Sequence, residues 1–180
     1  MTKKIKGHPA GRIGGIKADK DLTNAEKVIF GLKKQGLTIS TAESCTAGGF
    51  GHALTRVPGS SIVYKGGVVT YTRETKKQLL NLPDGLMDAG LVTPEITMAM
   101  AQAALKIFNT DYAVAVTGNA GPTSDTGGAG VGTVYWAIVS RKGREKIGNY
   151  DLFGNRDAVR AKAVTEGLRM LRNFLHLDED

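Results

Sequence analysis

Between Leu37 and Val57 the hydrophobic pattern of the chain changes its period. Leu37 and Ile39 alternate with Thr38 and Ser40, the two-residue repeat of a short strand. Phe50, Ala53, Leu54 and Val57 then recur at the spacing of one helix face. The residues between them, Glu43-Ser44-Cys45-Thr46-Ala47-Gly48-Gly49, are small and polar, so a strand must hand over to a helix there. A strand feeding a helix is the working unit of layered α/β folds. Such a turn gathers the free N–H groups and the positive dipole end of the helix at one point, which suits a phosphate or a developing oxyanion. Ser44 at its mouth reads either as a nucleophile or as a helix cap, and this stretch alone leaves both open. Cys45 is the rival nucleophile, intrinsically more reactive. As the immediate neighbour of Ser44 it should point elsewhere, and it reads as small buried packing.

The remainder of the chain extends the same alternation. Thr23-Asn24-Ala25-Glu26 is a capping box, Ala25, Val28, Ile29 and Leu32 form an apolar stripe, and Gly36 suits the residue that ends the helix. Ser60 to Thr72 reads as one strand bent at Gly66-Gly67, and Arg73 to Leu80 as a short helix. After a turn at Pro83-Asp84-Gly85, Thr93-Pro94 opens a helix with Ile96, Met100, Ala103, Ala104 and Ile107 inward. Tyr112 to Val116 is a buried strand, followed by a long glycine-rich loop from Thr117 to Gly132. Val134–Val139 and Lys146–Phe153 form a hairpin, and a last helix spans about Asp157 to Leu175 with Val164, Leu168, Leu171 and Leu175 on one side. The expected fold class is α/β, a three-layer α/β/α arrangement with a mixed, mostly parallel sheet.

Composition narrows the function classes. The chain has 180 residues, enough for one sizeable core, and no apolar run approaches the ~18–20 residues of a membrane span. A lone Cys45 excludes an internal disulfide and fits a reducing cytoplasm. His8, His52, His176 and Cys45 make no metal-ligand spacing, so no metal and no cofactor are expected. The net charge of +7 invites a nucleic-acid reading, but six cations against Asp19 place +5 within residues 1–20. That segment reads as a flexible basic tail, which leaves nucleic acid open for the tail alone, and residues 21–180 form one nearly neutral domain.

Three polar segments follow strands and should converge at one sheet edge, where α/β folds bind ligands. They are the Ser44 turn, Tyr71-Thr72-Arg73-Glu74-Thr75-Lys76, and Thr117-Gly118-Asn119-Ala120-Gly121-Pro122 with its glycine-rich continuation. None matches a Walker A or dinucleotide fingerprint. Together with GSS, GGVVTYTRETK, VGTVYWA and the terminal F-G-x-R-x-x-V-R, the TAESCTAG and AVTG-x-AGP runs resemble the C-terminal domain of CinA, from about Thr23 to Phe174. Stand-alone members of that family are nicotinamide mononucleotide deamidases, usually homo-oligomeric, acting on a small nucleotide substrate.

The resemblance implies a metal-free serine amidohydrolase. In it Ser44 attacks the carboxamide carbon, Lys76 is the base, and Tyr71 relays the proton or orients the amine. A lysine serves as base only if burial or nearby positive charge, such as Lys77 or Arg73, disfavours its charged form. Backbone N–H groups near Thr46, Ala47 and Gly48 would form the oxyanion hole. Thr117, Gly118, Asn119, Ala120, Gly121, Pro122 and Arg156 would grip the ribose phosphate. Three positions depart from the family pattern. Ala47 stands where a glycine is common, Asn119 replaces an aliphatic residue, and Ala129-Gly130 takes the place of Lys-Pro and removes a positive charge. A catalytically silent domain that binds a nucleotide or a protein is the alternative, and a nucleic-acid-binding protein working through residues 1–20 is a further one.

Overall fold

The computed structural model describes residues 22–124 and 129–176; the basic segment 1–20 lies outside the described residues. Five strands, β1 (Ile39–Glu43), β2 (Tyr64–Val69), β3 (Tyr112–Gly118), β4 (Thr133–Ser140) and β5 (Glu145–Asp151), form one sheet in the order β2-β1-β3-β4-β5. β1 pairs in parallel with both β2 and β3, and β4 runs antiparallel to β3 and β5. Four of the five strands therefore share a direction, and the sheet is mixed and mostly parallel. The helices are α1 (Asn24–Gln35), α2 (Gly49–Thr55), α3 (Arg73–Leu80), α4 (Pro94–Phe108) and α5 (Arg156–Phe174).

The strand alternation sorts the core into two layers. Val114, Val116, Val134, Trp136 and Ile138 face a cluster with Val28, Ile29 and Leu32 of α1, Phe50 and Leu54 of α2, and Val159, Ala163 and Leu171 of α5. On the other face, Ala42, Ala113, Ala115 and Ala137 meet Ile96, Met100, Ala101 and Ala104 of α4. Alanine on both sides lets that helix lie close to the sheet. Gly167 does the same for α5, since a Cβ there would come within 2.5 Å of Trp136 Nε1 and 2.6 Å of Phe50.

The helix-start signals are realised. The Thr23 capping box is complete, with Glu26 N–H donating to Thr23 Oγ1 and Thr23 N–H to the Glu26 carboxylate, and Thr93 Oγ1 caps α4. Three readings need correction. Ser60–Ile62 is a 3-10 turn after the left-handed Gly59, so β2 begins only at Tyr64. The Pro83-Asp84-Gly85 turn is the start of a 3-10 turn over Asp84–Met87. Ile107 is exposed and Ala103 only half-buried, because both lie along a surface groove beside Leu79 and Leu80 of α3. No helix among the described residues is long and apolar enough to cross a membrane.

Candidate active site

From β1 the chain passes to β2 on one side and then crosses back to β3 on the other side of β1, which opens a crevice at the carboxyl ends of these strands. A cavity of about 410 Å³ lies there, lined by Ser44, Cys45, Tyr71, Leu91, Val92, residues 117–124 and Arg156. Its size falls in the usual range for a small-molecule site. The three sequence segments expected to converge do so.

Ser44 follows β1 directly, its N–H bound to the Val116 carbonyl at 2.9 Å. Lys76 comes from the first turns of α3, which a Thr72–Thr75 capping box starts just beyond β2. Its side chain is fully buried, with Nζ 3.1 Å from Ser44 Oγ and 2.6 Å from the Thr70 carbonyl. It is absent from the cavity wall and reaches the serine from beneath. Arg73 and Lys77, expected to press on the amine's charge, are instead ion-paired with Asp84 and Asp88 on the exposed side of α3.

Ser44 is not a helix cap. The cap of α2 is Gly48, and the free N–H groups of that helix go to the carboxylate of Glu43. Glu43 is 2% exposed and accepts from Gly48 N–H at 3.0 Å, Phe50 N–H at 3.0 Å, Gly51 N–H at 2.8 Å and the Thr46 hydroxyl at 2.7 Å. The helix end is thus filled by the protein's own anion and is closed to an oxyanion or phosphate. Gly51 admits the arrangement: a Cβ there would sit 2.5 Å from the Tyr64 hydroxyl and 3.3 Å from Glu43 Oε1. Thr46, Ala47 and Gly48 do not line the cavity, and the Gly48 N–H is spent on Glu43. Ala47 has φ 49°, the left-handed region that glycine enters at no steric cost, which accounts physically for the glycine common at this position.

Tyr71 lines the cavity, but its hydroxyl accepts from Arg156 Nη2, so it orients the arginine and not the lysine. Arg156 Nη1 also donates to the Gly121 carbonyl at 2.7 Å. Thr117 spends its hydroxyl on the Leu91 carbonyl. Asn119 Nδ2 donates to the Ala129 carbonyl at 2.7 Å, so two of the departures from the family pattern contact each other and tie the ends of the glycine-rich loop together. Arg160, one turn beyond Arg156 on the same face of α5, donates to the Cys45 and Thr46 carbonyls at 3.0 and 3.2 Å. Neither Glu43 nor Arg160 stands out by sequence chemistry, although the i, i+4 arginine pair in F-G-x-R-x-x-V-R was a usable sign. No group of His, Cys, Asp and Glu suited to a metal occurs among the described residues.

Fold and site define an α/β/α domain with a buried serine–lysine contact at the carboxyl edge of a mixed sheet. The chain belongs to the CinA C-terminal domain family, whose sequence profile matches residues 21–175. It is 41% identical over 155 residues to the CinA-like protein of Parasynechococcus marenigrum, covering 84% of this chain and 36% of that protein. The CinA-like protein of Geobacter sulfurreducens is 38% identical over 161 residues, covering 89% and 39%. This chain therefore spans little more than a third of the length of the curated relatives it matches. The crystal structure of the competence/damage inducible protein CihA from Agrobacterium tumefaciens superposes with a TM-score of 0.80 at 35% identity, over 84% of this chain and 93% of that one. A CinA superfamily protein from Escherichia coli gives a TM-score of 0.80 at 28% identity, over 88% and 94%.

Proposed function

We propose that this domain is a nicotinamide-nucleotide amidase, hydrolysing nicotinamide mononucleotide to nicotinate mononucleotide and ammonia. The observation that carries the reading is Lys76 Nζ at 3.1 Å from Ser44 Oγ, beneath a cavity whose lining holds no histidine. A serine hydroxyl needs an adjacent base, and a dehydrated amine loses the solvation that favours its charged form. The Thr70 carbonyl takes one amine hydrogen and fixes how the nitrogen presents itself to Ser44.

In the proposed reaction Ser44 Oγ bonds to the carboxamide carbon while its proton passes to Lys76, and the C=O electron pair moves onto oxygen. Collapse of that intermediate breaks the C–N bond, with the lysine proton delivered to the departing ammonia. Water, deprotonated by Lys76, then releases the acid from Ser44. Arg156 stands at the cavity rim, where its guanidinium suits the phosphate, and the glycine-rich backbone allows close approach. In this reading the nicotinamide lies toward Ser44 and the phosphate toward α5.

The test is incubation of purified protein with nicotinamide mononucleotide, with and without EDTA, followed by product chromatography. Equimolar nicotinate mononucleotide and ammonia in both arms is the expected result. Binding without turnover would leave a nucleotide-binding domain. Turnover abolished by EDTA and restored by a divalent ion would overturn the serine–lysine mechanism.

A further inference from the structure

Most N–H and C=O groups of the turn between β1 and α2 can be followed to a partner. The Ala47 N–H donates to the Ser44 carbonyl and the Gly49 N–H to the Thr46 carbonyl, while Gly48, Phe50 and Gly51 donate to Glu43. The Cys45 and Thr46 carbonyls accept from Arg160. Among the N–H groups of the described residues there, that of Cys45 meets only its own thiol and that of Thr46 has no protein partner; they belong to the two peptide groups that follow the Ser44 hydroxyl. Cys45 lines the cavity and Thr46 follows it, so these two peptide groups are nearer to an oxyanion on Ser44 than the helix end that Glu43 fills.

Both peptide groups are trans, so each N–H points away from the carbonyl of its own plane. Arg160 Nε holds the Cys45 carbonyl, and it thereby aims the Thr46 N–H to the opposite side. A charged donor on a peptide carbonyl also polarises that peptide and strengthens its N–H as a donor. From this geometry we infer that Arg160 is a positioning residue for the oxyanion hole of Ser44, acting through the Cys45–Thr46 peptide without touching the substrate. The inference rests on the amidase reading for its substrate, but its physical content is independent of which acyl group Ser44 takes.

Two readouts separate the inference from that reading. With nicotinamide mononucleotide, Arg160→Ala should lower kcat by about 10–100-fold, below the 10²–10³ that loss of a whole oxyanion donor costs, because a mis-aimed donor still contributes. KM should stay within about three-fold, since the oxyanion exists only in the transition state. Added guanidinium should recover part of the lost kcat. The second readout is the rate at which a fluorophosphonate labels Ser44. The serine oxygen bonds to phosphorus, the P–F bond breaks, fluoride leaves and the proton goes to Lys76, with the phosphoryl oxygen in the same hole. Labelling should slow at least ten-fold in Arg160→Ala.

If Arg160→Ala proves unfolded by circular dichroism, Arg160→Lys replaces it; it keeps the charge but cannot span both carbonyls, and the same loss of kcat at unchanged KM is expected. Wild type that labels at Ser44 but leaves the nucleotide intact refutes the amidase reading and keeps the inference testable by labelling. Wild-type kcat and labelling rate in a folded Arg160 variant overturn the inference. A rise in KM alone does so too, because it would make Arg160 a binding residue. Protein that neither labels nor hydrolyses overturns both.

Discussion

Cys45 belongs to the apolar cluster under α2 and α5, and loss of hydration there pushes its thiol up to about 11, with the Glu43 charge adding and Lys76 and Arg160 opposing. A thiol so raised is protonated at neutral pH and cannot compete with Ser44 as the nucleophile. Ser44→Ala should abolish ammonia release while leaving nucleotide binding nearly intact, and Cys45→Ala should keep most of the activity; steady-state assays of both variants decide it. The reverse pattern would transfer the nucleophile to sulfur. Lys76 poses a sharper question, since a buried amine near a serine can act as a base or as a fixed charge. Lys76→Arg keeps the charge and cannot deprotonate, so a base predicts that it is as inactive as Lys76→Ala, down roughly 10²–10⁴-fold. An arginine variant within a few-fold of wild type would move the base to a bound water.

At the scale of the element, α2 has seven residues and owes its N-terminus to Glu43. Glu43→Gln leaves one acceptor oxygen and sets an amide NH₂ against N–H groups that need acceptors. The expected cost is about 2–4 kcal/mol, read as a lower urea midpoint with an unchanged slope. An unchanged midpoint would mean that the four contacts do not hold the turn. The same element shows what a sequence discloses. Thr23 and Thr93-Pro94 announce their helices because a cap is a local matter, settled within four residues. Ser60–Ile62 misleads because a serine–isoleucine pattern fits a strand, while the backbone is decided by Gly59 at φ 82°. Ile107 keeps the helical spacing but lines a surface groove beside α3, and spacing alone does not separate a core face from a groove. Ser44 and Lys76, 32 residues apart, became a pair in the sequence only through the family resemblance. Glu43 and Arg160 escaped because most of their partners are backbone groups, which every residue possesses.

For the molecule as a whole, the ends of β1, β3 and β4 are tied together at the opposite end of the sheet from the cavity. There Asp111, just before β3, accepts from the Thr38 hydroxyl at 2.7 Å and its N–H at 2.9 Å, with Arg141 beyond β4 close by. Burial alone would raise its carboxyl, but the Thr38 donors and the arginine outweigh it and hold the group below its ordinary value of 3.8. A depressed native carboxylate contributes stability that is complete above the unfolded value and is lost as pH falls through the native one. The stability gap between wild type and Asp111→Asn, measured by urea unfolding, should therefore be full at pH 7 and shrink progressively below about pH 4. A gap independent of pH would assign the contribution to packing. The cavity edge depends on a longer reach, because Arg160 meets the Cys45 carbonyl across 115 residues of chain. A protein leaves the ribosome from its N-terminus onward. Serine and lysine emerge early and the helix that braces the turn much later, so the turn after β1 stays unbraced until α5 has been translated.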